Sequence, residues 1–249
     1  MIFVTNTPNN AGVVIHGDFM DFDSLREALY AIVGEEDEFT QFTSSRTRIL
    51  GVCYDLRHAN MGDREIEFID NGMDEYKMKN LATISPDKNA YFVINTLWPE
   101  TLFVMMALND FVRLYVKKRV KLSYHDMLDF HIIWDDNIAQ ARMFQAAITK
   151  CLRQILSQAS FARVTHLLNK DYTWLEGYAE QYVDLLNIRF LDMDKEKRLK
   201  SLPTIAKRLS EEEAEYRKIK DEVYHEAKEN NCAIDDIRLS MEYPEEVDW

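Results

Sequence analysis

The chain has 249 residues, of which 47% are hydrophobic and 29% charged, and it carries a formal net charge of −13. Glycine and proline are scarce, at 7 and 5 residues, which excludes collagen-like and low-complexity proteins and argues against a turn-dense β-sandwich. Cys53, Cys151 and Cys232 lie far apart without a CxxC spacing, so we expect neither a disulfide framework nor a zinc ribbon. No stretch approaches the ~18 apolar residues of a membrane helix, and the N-terminus lacks signal-peptide features. We expect a soluble, helix-rich protein of the cytoplasm.

Turn residues are concentrated in the first part of the chain, since six of the seven glycines lie within the first 72 residues. There, β-rich runs predict strands, and apolar residues at three- and four-residue spacing predict helices. Asp21 or Asp23 is suited to cap the first helix, and Gly34 is suited to end it. The predicted elements are strands at 2–5 and 13–16, helices at 24–33 and 43–60, and strands at 64–68 and 91–95.

From Pro99 onward the sequence predicts helices almost exclusively. The longest helical pattern, residues 123–157, carries apolar residues at three- and four-residue spacing. Trp134 and Phe144 lie on this apolar stripe, so we predict that both side chains are buried. The predicted helices begin at Pro99 and then span 123–157, 160–168, 172–191 and 210–229.

The end of the chain is predicted to contain a charged helix followed by a strand. Ser210 and Glu213 have the spacing of a capping box, which would open the helix. Ile237, Leu239 and Met241 alternate with polar residues, as in a half-buried strand. Because an isolated strand cannot satisfy its backbone hydrogen bonds, we expect it to return to the N-terminal sheet.

These elements predict an α+β fold, with a small mixed or antiparallel sheet near the N-terminus packed on a larger helical array. We divide the chain into an α+β part at 1–98, a helical part at 99–234 and a C-terminal strand and tail at 235–249. No linker or internal repeat separates the parts, so we expect one compact body.

The charge is uneven along the chain: residues 1–110 carry −10, residues 111–209 carry +6 and residues 210–249 carry −9. An acidic protein is a poor general nucleic-acid binder, although the basic stretch at 111–209 leaves local contact open. We expect the acidic C-terminal segment to fold onto the basic middle with the help of Coulomb attraction. Hydrogen exchange of residues 210–230 would then become faster as salt screens the charges.

Several short strings in the first hundred residues are specific enough to suggest a family. They are Asn6-Thr7-Pro8-Asn9, Leu50-Gly51-Val52-Cys53-Tyr54-Asp55-Leu56-Arg57-His58-Ala59, Gly62-Asp63-Arg64-Glu65, Asp70-Asn71-Gly72-Met73 and Leu97-Trp98-Pro99-Glu100. With them the chain resembles a widespread bacterial family of unknown function over most of its length. The resemblance implies a bacterial, cytoplasmic setting and assigns no activity, cofactor or catalytic residue.

The densest group of candidate catalytic residues lies at the end of the second predicted helix. Ile49, Cys53 and Leu56 share the apolar face of this helix, so polar residues between them point the other way. A histidine beside a carboxylate can act as a general base, and arginines can hold an anion. The alternative is a buried ion-pair cluster that fixes the following turn, with Gly51 admitting a neighbouring helix. The candidates are Tyr54, Asp55, Arg57, His58, Asp63 and Arg64.

Two further candidate sites lie in the basic middle of the chain. Asp129 and Asp136 follow His125 on one helical stripe, where the three side chains could hold a metal ion. Arg119 and His125 have a spacing similar to that of helical ribonucleases in toxin systems, although Val120 stands where a polar residue is usual. The alternative to a metal site is that carboxylates in the first turn of a helix complement the helix dipole. The alternative to a ribonuclease-like pair is that so short a spacing arises by chance. We predict no cofactor and no dedicated metal site.

The sequence contains no complete catalytic signature, since it lacks a Gly-rich phosphate loop, a GxSxG elbow and an HExxH motif. This favours a non-enzymatic binding or regulatory protein, such as an inhibitor, immunity-type or defence-associated factor, whose partner is another protein. The alternative is a nucleic-acid-directed hydrolase, ribonuclease- or phosphohydrolase-like, that uses the His58 group or the pair Arg119 and His125. Association into a homo-oligomer is left open.

Overall fold

A computed structural model of the protein describes residues 1–119, 130–169 and 175–249. The first part of the chain contains β1 (Phe3–Asn6), β2 (Gly12–Gly17), α1 (Phe19–Val33), α2 (Thr43–Asn60), β3 (Ile66–Asp70), α3 (Glu75–Asn80) and β4 (Lys88–Leu97). The second part contains α4 (Trp98–Arg119), α5 (Phe130–Ile133), α6 (Asp136–Ile155), α7 (Gln158–Leu168), α8 (Gln181–Leu191), α9 (Lys195–Ser210) and α10 (Ala214–Asn230).

Within the described residues, the strands form one antiparallel sheet in the order β1-β2-β4-β3. Phe3 lies opposite His16 and Val4 opposite Ile15 in the first hairpin, and Ile15 lies opposite Ile94 of β4. One face of the sheet contributes Val4, Ile15 and Ile94 to the hydrophobic core, where they join side chains of the helices. The predicted α+β class is confirmed, and the sheet is antiparallel throughout. The division at 98/99 and 234/235 stays a prediction.

Helix α4 forms the centre of the helical array. Fifteen of its 22 residues are buried, among them Trp98, Phe103 and Phe111, so the helix is covered on nearly all sides. A helix that is apolar all round is stable only in the interior of such an array. In the described ranges no helix, α4 included, is long and apolar enough to cross a membrane.

The ends of α1 show how a local capping signal sets a helix boundary. Asp18 is the N-cap: its carboxylate accepts a hydrogen bond from the Asp21 N–H at 2.8 Å, and the Asp21 carboxylate accepts one from the Asp18 N–H at 3.1 Å. The helix therefore begins before the predicted residue 24, and the cap is Asp18 rather than Asp21 or Asp23. Gly34 ends the helix with φ +71°, which confirms its predicted role.

The long helix predicted at 123–157 is interrupted in the described residues. Asp135 caps α6, because its side chain accepts a hydrogen bond from the Ile138 N–H at 2.9 Å. Trp134 lies just before this cap and is 79% exposed, so the prediction that it is buried is wrong. Phe144, in the middle of α6, is buried as predicted. Residues 120–129, which the prediction also included, lie outside the described residues.

The capping box predicted at Ser210 and Glu213 is not formed. Ser210 is the last residue of α9, and its hydroxyl donates to the Lys207 carbonyl at 3.2 Å. Glu213 is the N-cap residue of α10, but its side chain makes no capping hydrogen bond. The sequence analysis did not predict α9, in which Leu202 and Leu209 are buried against other helices.

The predicted C-terminal strand is also absent, since residues 237–249 join no sheet in the described structure. Side chains satisfy part of the backbone there instead: the Gln181 amide donates to the carbonyls of Ile234 and Ile237 at 2.9 and 3.0 Å. The tail does return to the N-terminal hairpin, because the Asn9 N–H donates to the Trp249 carbonyl at 3.2 Å. It meets the hairpin loop rather than a strand edge.

Candidate functional site

The predicted cluster at the end of α2 forms on the surface of the protein. The Nδ1 atom of His58 lies 2.9 Å from the Asp63 carboxylate, and Nη2 of Arg64 donates to Asp55 at 2.8 Å. The Tyr54 ring packs on the His58 ring with centroids 4.1 Å apart. The structure therefore brings together five of the six predicted residues.

The exposure of these side chains bears on the two interpretations of the cluster, a catalytic site or a buried ion-pair cluster. The side chains of His58 and Asp63 are 26% and 52% exposed, so their pair is not a buried ion pair. Arg57 is exposed as well, and its side chain makes no hydrogen bond or ion pair with the other described members of the cluster. Exposed pairs contribute about 1 kcal/mol or less to stability. The hypothesis that His58 is a general base stays a prediction.

Gly51, on the same face of α2, has no neighbouring helix against it, contrary to the ion-pair interpretation. A Cβ atom built there would meet nothing within 4 Å. Gly51 instead lies between two adjoining cavities of about 450 and 360 Å³. The smaller one reaches Tyr54 and Asp55 of the surface cluster. The glycine therefore keeps this part of α2 open.

The larger cavity is a groove between α2, α8 and the C-terminal segment, and we call it the carboxylate groove. Its polar lining contains the Arg48 guanidinium, which lies close to three carboxylates, and a second guanidinium, that of Arg238. Its apolar lining comes from α8 and the C-terminal segment. The residues that line it are Thr47, Arg48, Gly51, Glu100, Glu180, Asp184, Ile188, Arg238, Leu239, Met241 and Tyr243.

Arg48 is held by all three carboxylates of the groove. Its Nε donates to Oε2 of Glu180 at 3.0 Å, its Nη1 to Oε2 of Glu100 at 3.1 Å and its Nη2 to Oδ2 of Asp184 at 2.7 Å. A planar guanidinium with several donors is suited to such a site. Each carboxylate gives one oxygen atom to Arg48, and Oε2 of Glu100 also accepts a hydrogen bond from the Asn187 side chain at 3.0 Å.

The second oxygen atoms of Asp184 and Glu180 have different surroundings. Oδ1 of Asp184 accepts a hydrogen bond from the Tyr243 hydroxyl at 2.8 Å. The Oε1 atom of Glu180 lies 3.9 Å from a guanidinium nitrogen of Arg238, whose side chain is 74% exposed. Arg238 is therefore a loosely held neighbour at the mouth of the groove, whereas Arg48 is fixed at its base.

The electrostatics of the groove follow from burial and crowding. Burial raises the pKa of Glu100 and of Glu180, and Arg48 opposes this in both cases. Burial alone would lower the pKa of Arg48, but the three carboxylates outweigh it and the pKa of the guanidinium is raised. Burial and the neighbouring Asp184 raise the pKa of Tyr243. Arg48 is thus a permanent cation, and the groove carries an excess of acidic groups.

The other predicted site residues are not brought to this groove. Arg119 donates to Asp135 at 2.8 Å and lies over the Tyr115 ring, and Asp136 is exposed in the first turn of α6. His125 and Asp129, the other proposed metal ligands, lie outside the described residues. Among the residues that the structure describes, no three histidine, cysteine or carboxylate side chains are placed to hold a metal ion.

The sequence analysis missed the carboxylate groove because its residues come from distant parts of the chain. Glu180 and Asp184 have the four-residue spacing of one helical face, which is the single local signal. Glu100 belongs to one of the strings that carry the family resemblance, but nothing in the sequence connects it to Arg48 or Tyr243. These residues meet only through the packing of α2, α4 and α8.

The family model described as a domain of unknown function (DUF6904) matches residues 2–249, and the chain belongs to this family. The predicted resemblance to a family of unknown function is thereby confirmed. No curated protein and no solved structure matches the chain.

Proposed function

We propose that this DUF6904 chain is a non-enzymatic binding or regulatory protein whose carboxylate groove takes a basic side chain of a partner protein. The observation that carries the proposal is the arrangement of three carboxylates around one fixed guanidinium, which leaves negative charge at the mouth of the groove. An ammonium or guanidinium group of a ligand would neutralise this negative charge, since buried charges need partners.

The position of Arg238 indicates where the ligand's charged group would bind. Arg238 lies 3.9 Å from Oε1 of Glu180 and is largely exposed, so an incoming cation can displace it at little cost. The displaced contact would be replaced by a charge-assisted hydrogen bond to the same oxygen atom.

The apolar lining suits the stem of a lysine or arginine side chain. Ile188, Leu239 and Met241 line the same groove as the carboxylates. Long basic side chains bury their methylene groups along apolar surface while the charged group finds a polar partner. The groove thus offers both halves of such a side chain a suitable environment.

The wider setting that we propose follows from the family resemblance and the composition. We place the protein in the bacterial cytoplasm as an inhibitor, immunity-type or defence-associated factor with a protein partner. The chain's formal charge of −13 supports a partner with a basic surface, because complementary charge accelerates encounter. The alternative of a nucleic-acid-directed hydrolase stays a prediction.

Agmatine, which carries a guanidinium on a short methylene stem, tests the groove by titration calorimetry. We expect agmatine to bind the wild type. Glu180→Gln should weaken the binding by about tenfold, because one charge-assisted contact is lost. Arg238→Ala should strengthen it severalfold, because the competing guanidinium is removed.

Glu222→Gln is the matched control, since it makes the same substitution at an exposed position of α10 outside the carboxylate groove. It should leave agmatine affinity unchanged, and butylurea, which lacks both the guanidinium and the ammonium of agmatine, should not bind. If Arg238→Ala binds no more tightly than the wild type, the proposal is wrong. Arg238 is exposed, so this result would not depend on whether Glu180→Gln folds.

A further inference from the structure

A second groove, remote from the carboxylates, lies between the edge strand β1 and helix α6. It encloses about 460 Å³ and is lined mainly by apolar side chains and by the backbone of β1. The lining from α6 consists of Gln140, Met143, Ala146, Ala147, Lys150 and Gln154. These residues recur at three- and four-residue spacing, so they form one face of the helix.

The outer edge of β1 offers unpaired backbone groups to this groove. β1 pairs with β2 and with no other strand among the described residues. The Thr7 N–H donates to the Gly12 carbonyl at 3.0 Å, so Thr7 and Gly12 are a hydrogen-bonded pair of the hairpin. Because bonded residues alternate along an antiparallel pair, Phe3 and Thr5 bond to β2, whereas the N–H and C=O of Val4 point outward.

The strand also lacks the features that usually protect an edge. β1 contains neither proline nor a charged residue, and its backbone is extended and regular over Phe3–Asn6. Natural sheets block such edges with lysine, proline or a bulge, or cover them with a helix. Helix α6 packs against β1, and the groove lies open between the two. An unprotected edge that faces a groove is a template for a further strand.

The dimensions of the groove fit a short extended peptide. Gln140 and Gln154 are separated by 14 residues of α6, which corresponds to about 21 Å along the helix axis. An extended chain covers about 3.3 Å per residue, so about six residues fit. The small side chains of Ala146 and Ala147 leave the middle of the groove open, and Met143, which is half exposed, is an adaptable apolar contact.

The charges along α6 favour an acidic ligand. Lys150 is exposed in the groove and forms no ion pair with another residue that the structure describes. Arg142 and Arg153 lie on another face of α6, where Arg142 donates to Asn109 and Arg153 lies over the Phe161 ring. Asp21, the one acidic residue of the groove lining, lies in the first turn of α1 at the other wall and is paired with the Met1 ammonium at 2.7 Å. The groove lining from α6 therefore carries one positive charge, that of Lys150, and no negative charge.

We propose that this groove binds an extended, acidic peptide of about six residues, which adds a fifth strand to the sheet at β1. Its alternate apolar side chains contact Met143 and the two alanines, and a carboxylate of the peptide meets Lys150. A second copy of this chain is a poorer occupant, because it would bring its own α6 against this one. The formal charge of −13 on each copy also opposes self-association.

Selection from a displayed library of random hexapeptides, followed by fluorescence anisotropy of the selected peptide, tests the proposal. We expect the selected sequences to alternate apolar and polar residues and to contain a carboxylate. Ala146→Trp, which fills the groove, should weaken binding by about tenfold or more, and Lys150→Glu by about tenfold. Ala162→Trp, on the exposed side of α7, is the matched control and should leave the affinity unchanged.

Hydrogen exchange of the strand amides distinguishes strand addition from simple apolar contact. Bound peptide should slow exchange of the Val4 amide, whereas the Thr5 amide, which already bonds to β2, should change little. The proposal is overturned if Ala146→Trp binds the selected peptide as tightly as the wild type, or if Val4 exchange is unaffected. It is also overturned if the free chain dimerises and Ala146→Trp makes it monomeric, because the occupant is then a second copy.

Discussion

At the scale of single residues, Asp110 is a buried carboxyl group whose titration is expected to affect the stability of the fold. It is buried in α4, and the charged group placed against it is Arg113, with Nη1 3.4 Å from its Oδ1. Burial raises the pKa of Asp110 to about 6, and Arg113 only partly opposes this. The unfolded value is close to 3.9. Between about pH 4 and pH 6 the folded protein therefore binds the extra proton, and its stability falls as the pH rises through that interval.

Asp110→Asn should remove this part of the pH dependence. Two pKa units correspond to roughly 3 kcal/mol, so the stability of the variant relative to the wild type should increase by about 2–3 kcal/mol between pH 4 and pH 8. Urea unfolding at several pH values measures the difference. Asp37→Asn, at an exposed position, should follow the wild type at every pH. Parallel curves for Asp110→Asn and the wild type would show that the carboxyl is not perturbed.

At the scale of elements, sequence periodicity correctly predicts which residues are buried when a helix packs through one face. The apolar stripe of Ile49, Cys53 and Leu56 is buried as predicted, and Phe144 of α6 lies in the core. Periodicity failed at Trp134, which continues the apolar spacing but precedes the capping residue Asp135. A local hydrogen bond to the backbone ends the pattern there, and spacing alone does not reveal it.

The elements that were missed depend on tertiary contacts. Helix α9 is rich in lysine and arginine and contains Pro203, which disfavours a helix interior, so only its packing against α4 and α7 makes it stable. The C-terminal segment alternates like a strand, yet its side chains pack on α8 beside the carboxylate groove. The surface cluster around His58 was predictable because its residues are close in sequence. The carboxylate groove was not predictable, because its residues come from distant parts of the chain.

Phe144 and Trp134 give a direct comparison between a buried and an exposed aromatic residue of one predicted helix. Phe144→Ala should destabilise the protein by about 3–5 kcal/mol, because it leaves a cavity in the core. Trp134→Ala should change the free energy of unfolding by about 0.5 kcal/mol or less, as exposed substitutions do. Chemical denaturation of both variants tests this. Equal losses of stability would mean that the Trp134 side chain is covered after all.

At the scale of the whole molecule, the acidic end of the chain returns to the basic middle as expected, but packing contributes more than the sequence indicated. Glu215 of α10 is paired with Arg189 of α8 at 2.6 Å, in a partly exposed position. Beside it, Tyr216 is fully buried, with its ring centroid 4.9 Å from that of Tyr178 and 5.4 Å from that of Tyr182. The sequence pointed to Coulomb attraction, whereas the burial of Tyr216 became evident only from the structure.

The two contributions respond differently to salt. Exposed ion pairs are screened over about 10 Å at 0.1 M salt, whereas the burial of an aromatic ring is not weakened by screening. Since Tyr216 anchors α10, hydrogen exchange of residues 214–230 should change little between low salt and ~0.5 M salt. This is the opposite of the result expected when charge holds the segment.

Tyr216→Ala should therefore release α10 and accelerate exchange of its amides, while Glu215→Gln, the neighbouring control, should have a small effect. The ring makes stacked and edge contacts with two other tyrosines, and its hydroxyl accepts a hydrogen bond from the Ala179 N–H at 3.2 Å, so the alanine variant loses several contacts together. Mass spectrometry of deuterium uptake at two salt concentrations separates the effects. If salt alone accelerates exchange in the wild type and Tyr216→Ala adds little, Coulomb attraction rather than packing holds the acidic end in place.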